Sequence, residues 1–282
     1  TRGSRVSTRK QRNEVQPTLD TDIVQSAVAA LTREEKVEIA FDVQNTQRSI
    51  GTRLSSAIVR KWGLTGLAPN SVTLRLYGSC GQSLGAFGVQ GLRIEVEGDA
   101  NDYVGKGLSG ATIVLKPPHR ARFRASDNTI MGNTVLYGAT SGFLFAAGQA
   151  GERFAVRNSG AVCVVEGCGS NGCEYMTGGT AVILGTPGDN FAAGMTGGIA
   201  YIYDADGTLE QHINPDSVAW HRLASKAEFS EFWKWIRLHR DATGSLLAQS
   251  LLAADASDRC WVVLPRKRHA NASWHAPQRK FA

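Results

Sequence analysis

The sequence Gly179-Thr180-Ala181-Val182-Ile183-Leu184-Gly185 is one of six apolar runs that each follow a glycine. The leading glycines stand at positions 91, 110, 142, 160, 179 and 198, so the gaps are 18 or 19 residues except for one of 32. A fixed period of this length is typical of stacked repeat coils. It is too short for a βαβ unit, which takes roughly 30 residues or more. Each repeat is therefore predicted to contain only short strands and turns.

Apolar residues alternate along each run, at the first, third and fifth positions after the glycine. Alternation of this kind places them on one face of a strand. The predicted inner positions are Leu92, Ile94 and Val96; Ala111, Ile113 and Leu115; Phe143, Phe145 and Ala147; Ala161, Cys163 and Val165; Thr180, Val182 and Leu184; and Ile199, Tyr201 and Tyr203. The positions between them are predicted to form a wetter outer face.

These patterns predict an all-β core, in the form of a right-handed single-stranded parallel β-helix of about six to seven coils with short α-helical caps at both ends. The glycines are expected at sharp corners, because a residue without Cβ adopts positive φ at little cost. An antiparallel sandwich with glycine-rich turns is the alternative, but its strands are not expected to repeat one side-chain pattern at a fixed period.

The chain divides into five predicted segments. They are a basic disordered tail or linker (1–20), an N-terminal helix and strand cap (21–71), the β-helix (72–204), a C-terminal helical cap (205–265) and a second basic tail (266–282). Within the caps we predict a strand over 37–43 and helices over 22–31, 48–62, 226–239 and 245–253. The aromatic face of 226–239 is predicted to cap the end of the stack, with docking of a partner as the alternative.

Composition limits the classes of partner. The formal net charge is +6, but both tails are strongly basic, which leaves residues 13–265 net acidic. Nucleic-acid binding needs cations clustered on an ordered surface, so no nucleic-acid partner is predicted. No run of 18 apolar residues and no secretory signal is visible, and no membrane partner is predicted. Because the chain starts at Thr1, we expect a piece of a longer or processed protein.

Five cysteines, an odd number, fit a reducing compartment. Cys163, Cys168 and Cys173 are evenly spaced, but Cys163 stands at a predicted inner position, where a free thiol behaves as a small hydrophobe. The six histidines have no spacing typical of a metal pair. No catalytic, cofactor-binding or metal-binding residue is therefore predicted.

Thirteen extra residues follow Leu115 and lengthen one repeat. The run Lys116-Pro117-Pro118-His119-Arg120-Ala121-Arg122-Phe123-Arg124 is basic and carries two prolines. It is predicted to be a loop that leaves the stack. Docking on a partner and a simply tolerated insertion are both open for it.

Seven longer sequence motifs occur along residues 37–204. They are Asn45–Gly51, Gly81–Phe87, Gly98–Gly107, Gly132–Thr140, Gly151–Gly160, Gly172–Gly179 and Asn190–Met195. Together they closely resemble the C-terminal GXGXG domain of the large (alpha) subunit of glutamate synthase, an enzyme that makes two glutamates from glutamine and 2-oxoglutarate.

The resemblance implies a non-catalytic structural domain. It would pack the amidotransferase domain and the FMN- and iron–sulfur-bearing synthase domain together, on the same polypeptide or as partner subunits, and help to wall the ammonia tunnel. FMN and the iron–sulfur cluster are implied in those neighbours and not in this chain. The implied location is the cytoplasm, or the plastid of a photosynthetic eukaryote.

Polar residues at the predicted turns are the candidates for interdomain contacts. They are Asn101, Asp102, Tyr103, Lys106, Arg153, Arg157, Asn158, Glu174 and Tyr175. Structural ladders and ion pairs within the stack are the competing interpretation. The alternative function is a standalone GXGXG polypeptide in a related redox or amidotransferase complex, of the N-methylglutamate synthase or formylmethanofuran dehydrogenase type.

Overall fold

The structure, a computed structural model, describes residues 9–10, 12, 16–254 and 257–266, and most of the two predicted basic tails lies outside these residues. The helices are α1 (Leu19–Ser26), α2 (Val28–Arg33), α3 (Thr52–Trp62), α4 (Leu209–His212), α5 (Lys226–Thr243) and α6 (Leu246–Ala253). The strands are β1 (Val37–Val43), β2 (Val72–Cys80), β3 (Leu92–Ala100), β4 (Ser109–Lys116), β5 (Thr129–Met131), β6 (Ser141–Ala146), β7 (Gln149–Ala150), β8 (Ser159–Val165), β9 (Thr177–Ile183), β10 (Gly197–Tyr203), β11 (Val218–Arg222) and β12 (Cys260–Pro265). Short 3-10 turns lie at Gly63–Thr65, Ala125–Asp127 and Ser257–Arg259.

The strands form one 12-stranded sheet with the order β1-β2-β3-β4-β6-β8-β9-β10-β12-β11, and β5 and β7 pair beside this path. Every neighbouring pair from β1 to β10 is parallel, whereas β12 pairs antiparallel with both β10 and β11. The sheet is an open path and does not close on itself. The predicted all-β core is thus present as a mostly parallel sheet with few helices, and the β-helix itself stays a prediction.

One row of side chains crosses five strands on the inner face. Ile113 pairs with Leu144, Leu144 with Cys163, Cys163 with Ala181, and Ala181 with Ala200. All five are fully buried. Their place inside one core cluster confirms the prediction for Ile113 and Cys163.

The predicted inner positions are wrong for β6, β9 and β10. The residues that point into the core there are Leu144, Ala146, Ala181, Ile183, Ala200 and Ile202. Phe145, Val182 and Tyr201 lie instead in a second cluster on the opposite face. The physical reason is a set of register shifts near the leading glycines, such as the one between Gly197 and Ile199, because a slip of one residue moves a side chain to the other face.

The outer face of the central strands is apolar and not wet. Phe145 and Tyr201 pack there beneath α5, whose Phe232, Trp235 and Ile236 are buried in the same cluster. The ring centroids of Tyr201 and Phe232 are 5.9 Å apart. Helix α5 contacts β4, β6 and β8, so it covers a flank of the sheet, whereas the sequence predicts an end cap. The strands β12 and β11, which the repeat pattern does not predict, continue the sheet beyond β10.

Three residues in each turn adopt the left-handed conformation, with φ between +53° and +66°, and most of them are not glycine. They are Ser83, Gly85 and Phe87; Tyr103, Gly105 and Gly107; Thr134, Leu136 and Gly138; Arg153, Ala155 and Arg157; Asn171, Cys173 and Tyr175; and Asn190, Ala192 and Gly194. We call these six stacked segments, 83–87, 103–107, 134–138, 153–157, 171–175 and 190–194, the turn ladder. The sequence predicts positive φ only for glycine.

The N-terminal helices pack against the first strands. The strand predicted over 37–43 is confirmed as β1, and the helix predicted over 48–62 begins only at Thr52. The helix predicted over 22–31 is split into α1 and α2. The N-cap residue of α3 is Gly51, which has no capping side chain, and the buried carboxylate of Asp20 in α1 accepts hydrogen bonds of 2.6 Å from the N–H groups of Gly51 and Arg53.

None of the helices in the described residues combines the length and the apolar character that crossing a membrane requires.

Candidate functional site

Backbone hydrogen bonds join the segments of the turn ladder to one another. Tyr103 N donates to Asn133 O at 2.9 Å, and Arg153 N donates to Ser170 O at 2.8 Å. The middle residue of each segment bonds in the other direction, as Cys173 N does with Phe154 O at 2.7 Å. A left-handed conformation costs roughly 1–2 kcal/mol for a residue with Cβ. The bonds on both sides hold the backbone of each turn in this shape.

Tyr103 and Lys106 form one exposed group on the turn ladder. The Tyr103 ring is 39% exposed, and the Lys106 Nζ lies 5.7 Å from its centroid, within the range of a cation–π contact. Lys106 is half-buried and its carbonyl accepts a hydrogen bond from Phe87 N. The predicted pair is thus brought together at the surface.

Arg153, Arg157, Glu174 and Tyr175 form a second group on the next segments. Arg153 Nη2 and Glu174 Oε2 are 3.2 Å apart, and the Arg157 N–H donates to the Glu174 carbonyl at 2.9 Å. Tyr175 is 53% exposed, and its ring lies directly against Gly194, where a Cβ would come within 2.5 Å of the ring. The structure therefore brings these four predicted residues together on one exposed face.

Asn101 and Asp102 serve the turns themselves. Asn101 Oδ1 accepts from the Asp102 N–H at 2.9 Å, and Asp102 Oδ1 accepts from the Asn133 N–H at 2.8 Å. Asn101 is exposed and Asp102 is half-buried, so part of each side chain still faces outward.

Asn158 is the one predicted contact residue with a fully buried side chain. Its Nδ2 donates to Ala161 O, and its Oδ1 accepts from the N–H groups of Gly160 and Ala161, all within 3.2 Å. The side chain is engaged inside its own corner, and the proposal below uses the remaining candidates.

Phe87 is a surface residue of the turn ladder that the sequence reasoning missed. It is 54% exposed and has φ of +56°, and its ring covers Gly107 as the Tyr175 ring covers Gly194. The signal in the sequence is an aromatic residue in one segment with a glycine at the same position in the next.

The five cysteines lie inside the fold. All five thiols are free and buried. Burial raises the pKa of Cys168 to about 12 and raises that of Cys163 and Cys173 as well, so these thiols stay neutral at neutral pH. Metal and iron–sulfur ligation needs thiolates. Across 16–254 and the other described residues, no three His, Cys, Asp or Glu side chains are grouped as metal ligands.

These features define a stacked, mostly parallel β protein whose turns present fixed aromatic and charged side chains. Residues 20–266 match the family described as GXGXG motif. The chain belongs to this family.

The chain is similar to several glutamate synthases. It is 57% identical to the glutamate synthase [NADPH] large chain of Azospirillum brasilense over 94% of this chain and 18% of that relative. It is 43% identical to the glutamate synthase [NADH] of Schizosaccharomyces pombe over 97% of this chain and 13% of that relative. For the chloroplastic ferredoxin-dependent glutamate synthase 2 of Arabidopsis thaliana the identity is 46%, over 86% and 15%. The chain thus spans less than a fifth of these relatives, and its resemblance to their GXGXG domain is confirmed.

Proposed function

We propose that the chain is a non-catalytic structural domain of a glutamate synthase. In this role it packs the amidotransferase domain and the synthase domain together and helps to wall the ammonia tunnel between them. The observation that carries the proposal is the similarity along nearly the whole chain to large chains of which it spans only 13–18%. A segment of that kind has other domains to pack against.

The exposed groups of the turn ladder supply the proposed contact surface. Aromatic residues and arginine are enriched at protein interfaces, and Tyr103, Tyr175 and Phe87 expose rings on a backbone that hydrogen bonds hold in the left-handed conformation. Lys106, Arg153 and Arg157 add positive charge beside Asp102 and Glu174. A rigid surface loses little entropy on packing, so it suits a fixed spacer between two domains.

We propose that the sheet and the turn ladder are two sides of a right-handed parallel β-helix. Between β2 and β10, paired residues of neighbouring strands are 18–20 apart in the chain, as for Leu74 and Ile94 or Cys163 and Ala181, except in the pair of β4 and β6, where the extra residues raise the separation to 31–32. Hydrogen bonds between successive turns run alongside those between successive strands. Each repeat thus contacts the next at both a strand and a turn, as the coils of a β-helix do. Residues 72–204 are the proposed β-helix, with a cap over 21–71 and a C-terminal segment over 205–265 whose helix α5 lies along the flank of the sheet.

FMN and the iron–sulfur cluster belong, in this proposal, to the neighbouring domains. The buried neutral thiols described above do not suit a cluster in this chain. We place the assembly in the cytoplasm, or in the plastid if the source is a photosynthetic eukaryote, since one relative is chloroplastic.

The test is coupling between the two half-reactions in the full-length glutamate synthase that carries this chain. We expect the double variant Arg153→Glu with Tyr175→Ala to consume several-fold more glutamine per 2-oxoglutarate converted, because a loosened interface lets ammonia escape. Arg237→Glu, an exposed arginine on α5 away from the turn ladder, is the control. An unchanged ratio in a folded double variant would remove the proposed contact role.

A further inference from the structure

A cavity of about 700 Å³ lies where the long loop after β4 meets the junction of α5 and α6. Lys116 lines it from the end of β4, Phe123 and Arg124 from the loop, Glu166 from the position after β8, and Ser245 and Leu246 from the start of α6. The volume falls in the range of small-molecule sites, about 300–1,000 Å³. None of these residues belongs to the turn ladder, so the cavity is separate from the proposed contact surface.

Glu166 is the buried floor of this cavity and only 3% exposed. Its Oε1 lies 3.4 Å from His239 Nε2 and also accepts the Ser245 hydroxyl. Its Oε2 is buried and finds no hydrogen-bond donor in the part of the chain that the structure describes. Burying an acceptor without a donor costs about 1–3 kcal/mol. The floor of the cavity therefore lacks one hydrogen-bond donor.

The wall of the cavity carries two cations. Lys116 and Arg124 line it together with Glu97, whose Oε1 accepts a hydrogen bond from the His119 N–H, and no side-chain ion pair or hydrogen bond of Lys116 occurs within the described residues. Leu246 and Leu247, which also line it, open the eight-residue helix α6, whose Ser245 cap accepts from Ala248 N. The first N–H groups of a helix have no partner inside the helix and attract anions.

We propose that this cavity binds a small zwitterion of the α-amino-acid class. The ligand's ammonium donates to Glu166 Oε2, and its carboxylate faces Lys116 and the start of α6. Pro118, Phe123 and Leu247 leave an apolar space between these two ends for the ligand's side chain. A simple anion would pair only with Lys116 and the start of α6, and a simple cation only with Glu166, whereas a zwitterion pairs with both.

The test is isothermal titration calorimetry on the whole 282-residue chain with each of the twenty proteinogenic L-amino acids as probe. We expect saturable binding of at least one of them. The tightest binder's amide and its N-acetyl derivative, which lack the carboxylate and the ammonium respectively, should each bind about 10-fold more weakly or worse, the usual effect of losing a charge-assisted hydrogen bond.

Two variants connect the binding to this cavity. Lys116→Ala removes a side chain that has no ion pair or hydrogen bond within the described residues, so it should leave the melting temperature unchanged and weaken binding about 10-fold. Arg237→Ala, an exposed cation outside the cavity, should bind as the wild type does. A cavity that holds only water would give no heat with any amino acid. That outcome, or equal binding by wild type and Lys116→Ala, would overturn the proposed amino-acid site. It would not affect the proposed structural role, which the ratio of glutamine consumed to 2-oxoglutarate converted tests separately.

Discussion

Asp20 shows how one side chain can begin a helix to which it does not belong. Its carboxylate accepts the N–H groups of Gly51 and Arg53 at the start of α3, where Gly51 offers no side chain. Burial raises its pKa, although the two backbone hydrogen bonds act in the opposite direction. The sequence did not predict this contact, because the residues are 31 or more positions apart and no local capping signal stands before Thr52.

We predict that Asp20→Ala lowers the free energy of unfolding by about 1–3 kcal/mol, because two buried N–H groups lose their acceptor. Asp22→Ala is the matched control on the same helix, and it should change stability by no more than about 0.5 kcal/mol, since Asp22 is exposed. Urea denaturation followed by circular dichroism measures both. Equal effects would mean that the Asp20 carboxylate does not support α3.

Glu228 gives stability a defined dependence on pH. Partial burial alone would raise its pKa, but hydrogen bonds from His221 and from the N–H groups of Ser225 and Ala224 outweigh burial and lower the pKa to about 2. Its ordinary value is 4.5. The folded protein therefore binds this proton less readily than the unfolded chain. The stabilisation is present above about pH 4.5 and is lost as pH falls toward about 2.

We predict that Glu228→Gln removes this part of the pH dependence. Wild type should be the more stable protein at pH 6, by about 1–3 kcal/mol, and the difference should shrink as the pH falls from about 4.5 toward 2. Glu231→Gln, one turn further along α5, should show no comparable convergence. Thermal melts over this pH range provide the measurement, and a constant gap between wild type and Glu228→Gln would contradict the assignment.

At the scale of elements, the glycine period and the apolar alternation predict where the strands of the repeats lie. They do not predict in every strand which residues face the core. The predicted inner residues of β3, β4 and β8 lie in the core. In β9 and β10 two glycines stand in the first part of the strand, Gly178-Gly179 and Gly197-Gly198, and counting from the second one places the wrong residues inside. Counting from the first glycine of each Gly-Gly pair would have predicted the correct inner residues of β9 and β10.

The glycines themselves differ in what they do. Gly160 does not need positive φ, but a Cβ there would collide with the carbonyl oxygen of Thr140 in the preceding coil. Gly138 has φ of +64° and open space where a Cβ would stand. At Gly160 a side chain is excluded by the neighbouring backbone, whereas at Gly138 a side chain is disfavoured only by the positive φ. A sequence pattern alone does not separate these two causes.

We predict that Gly160→Ala lowers the free energy of unfolding by about 3 kcal/mol or more, since rigid backbone must move. Gly138→Ala should cost about 1–2 kcal/mol, the conformational penalty alone. Chemical denaturation of the two variants tests the order. If Gly138→Ala proved the more damaging, the close contact between the two coils would be ruled out as the dominant cause.

At the scale of the molecule, the sheet extends through both of its flanking regions. The parallel order follows from the period of the repeat, because successive coils must be neighbours. The antiparallel strands β12 and β11 do not follow from it: Cys260–Pro265 is a plain apolar run with no glycine signal, far along the chain from β10. The candidate contact residues were predicted from their polar turn positions. The left-handed backbone at several of them, such as Tyr103, Arg153 and Tyr175, is adopted by non-glycine residues, which no propensity rule indicates.

We predict that the five cysteines are protected by the fold as a whole. All are buried, and burial raises the pKa of Cys80, Cys168 and Cys260 to about 12. In the native protein, a thiol reagent such as dithionitrobenzoate should therefore modify less than one thiol per chain over minutes. In guanidinium chloride all five should react at once. Rapid labelling of the native protein would place at least one thiol at the surface.

The extra residues between β4 and β6 show that one repeat can be longer than the others while its strands still pair. The paired residues Ile113 and Leu144 are 31 positions apart, yet residues 112–115 pair one to one with residues 143–146, and the register shift lies before them, between Ser109 and Thr112. The chain leaves after Lys116 and rejoins the sheet at β5. This point is thus a ready graft site. A fluorescent reporter or an affinity tag inserted near the exposed Arg122 should leave the pairing of β4 with β6 unchanged.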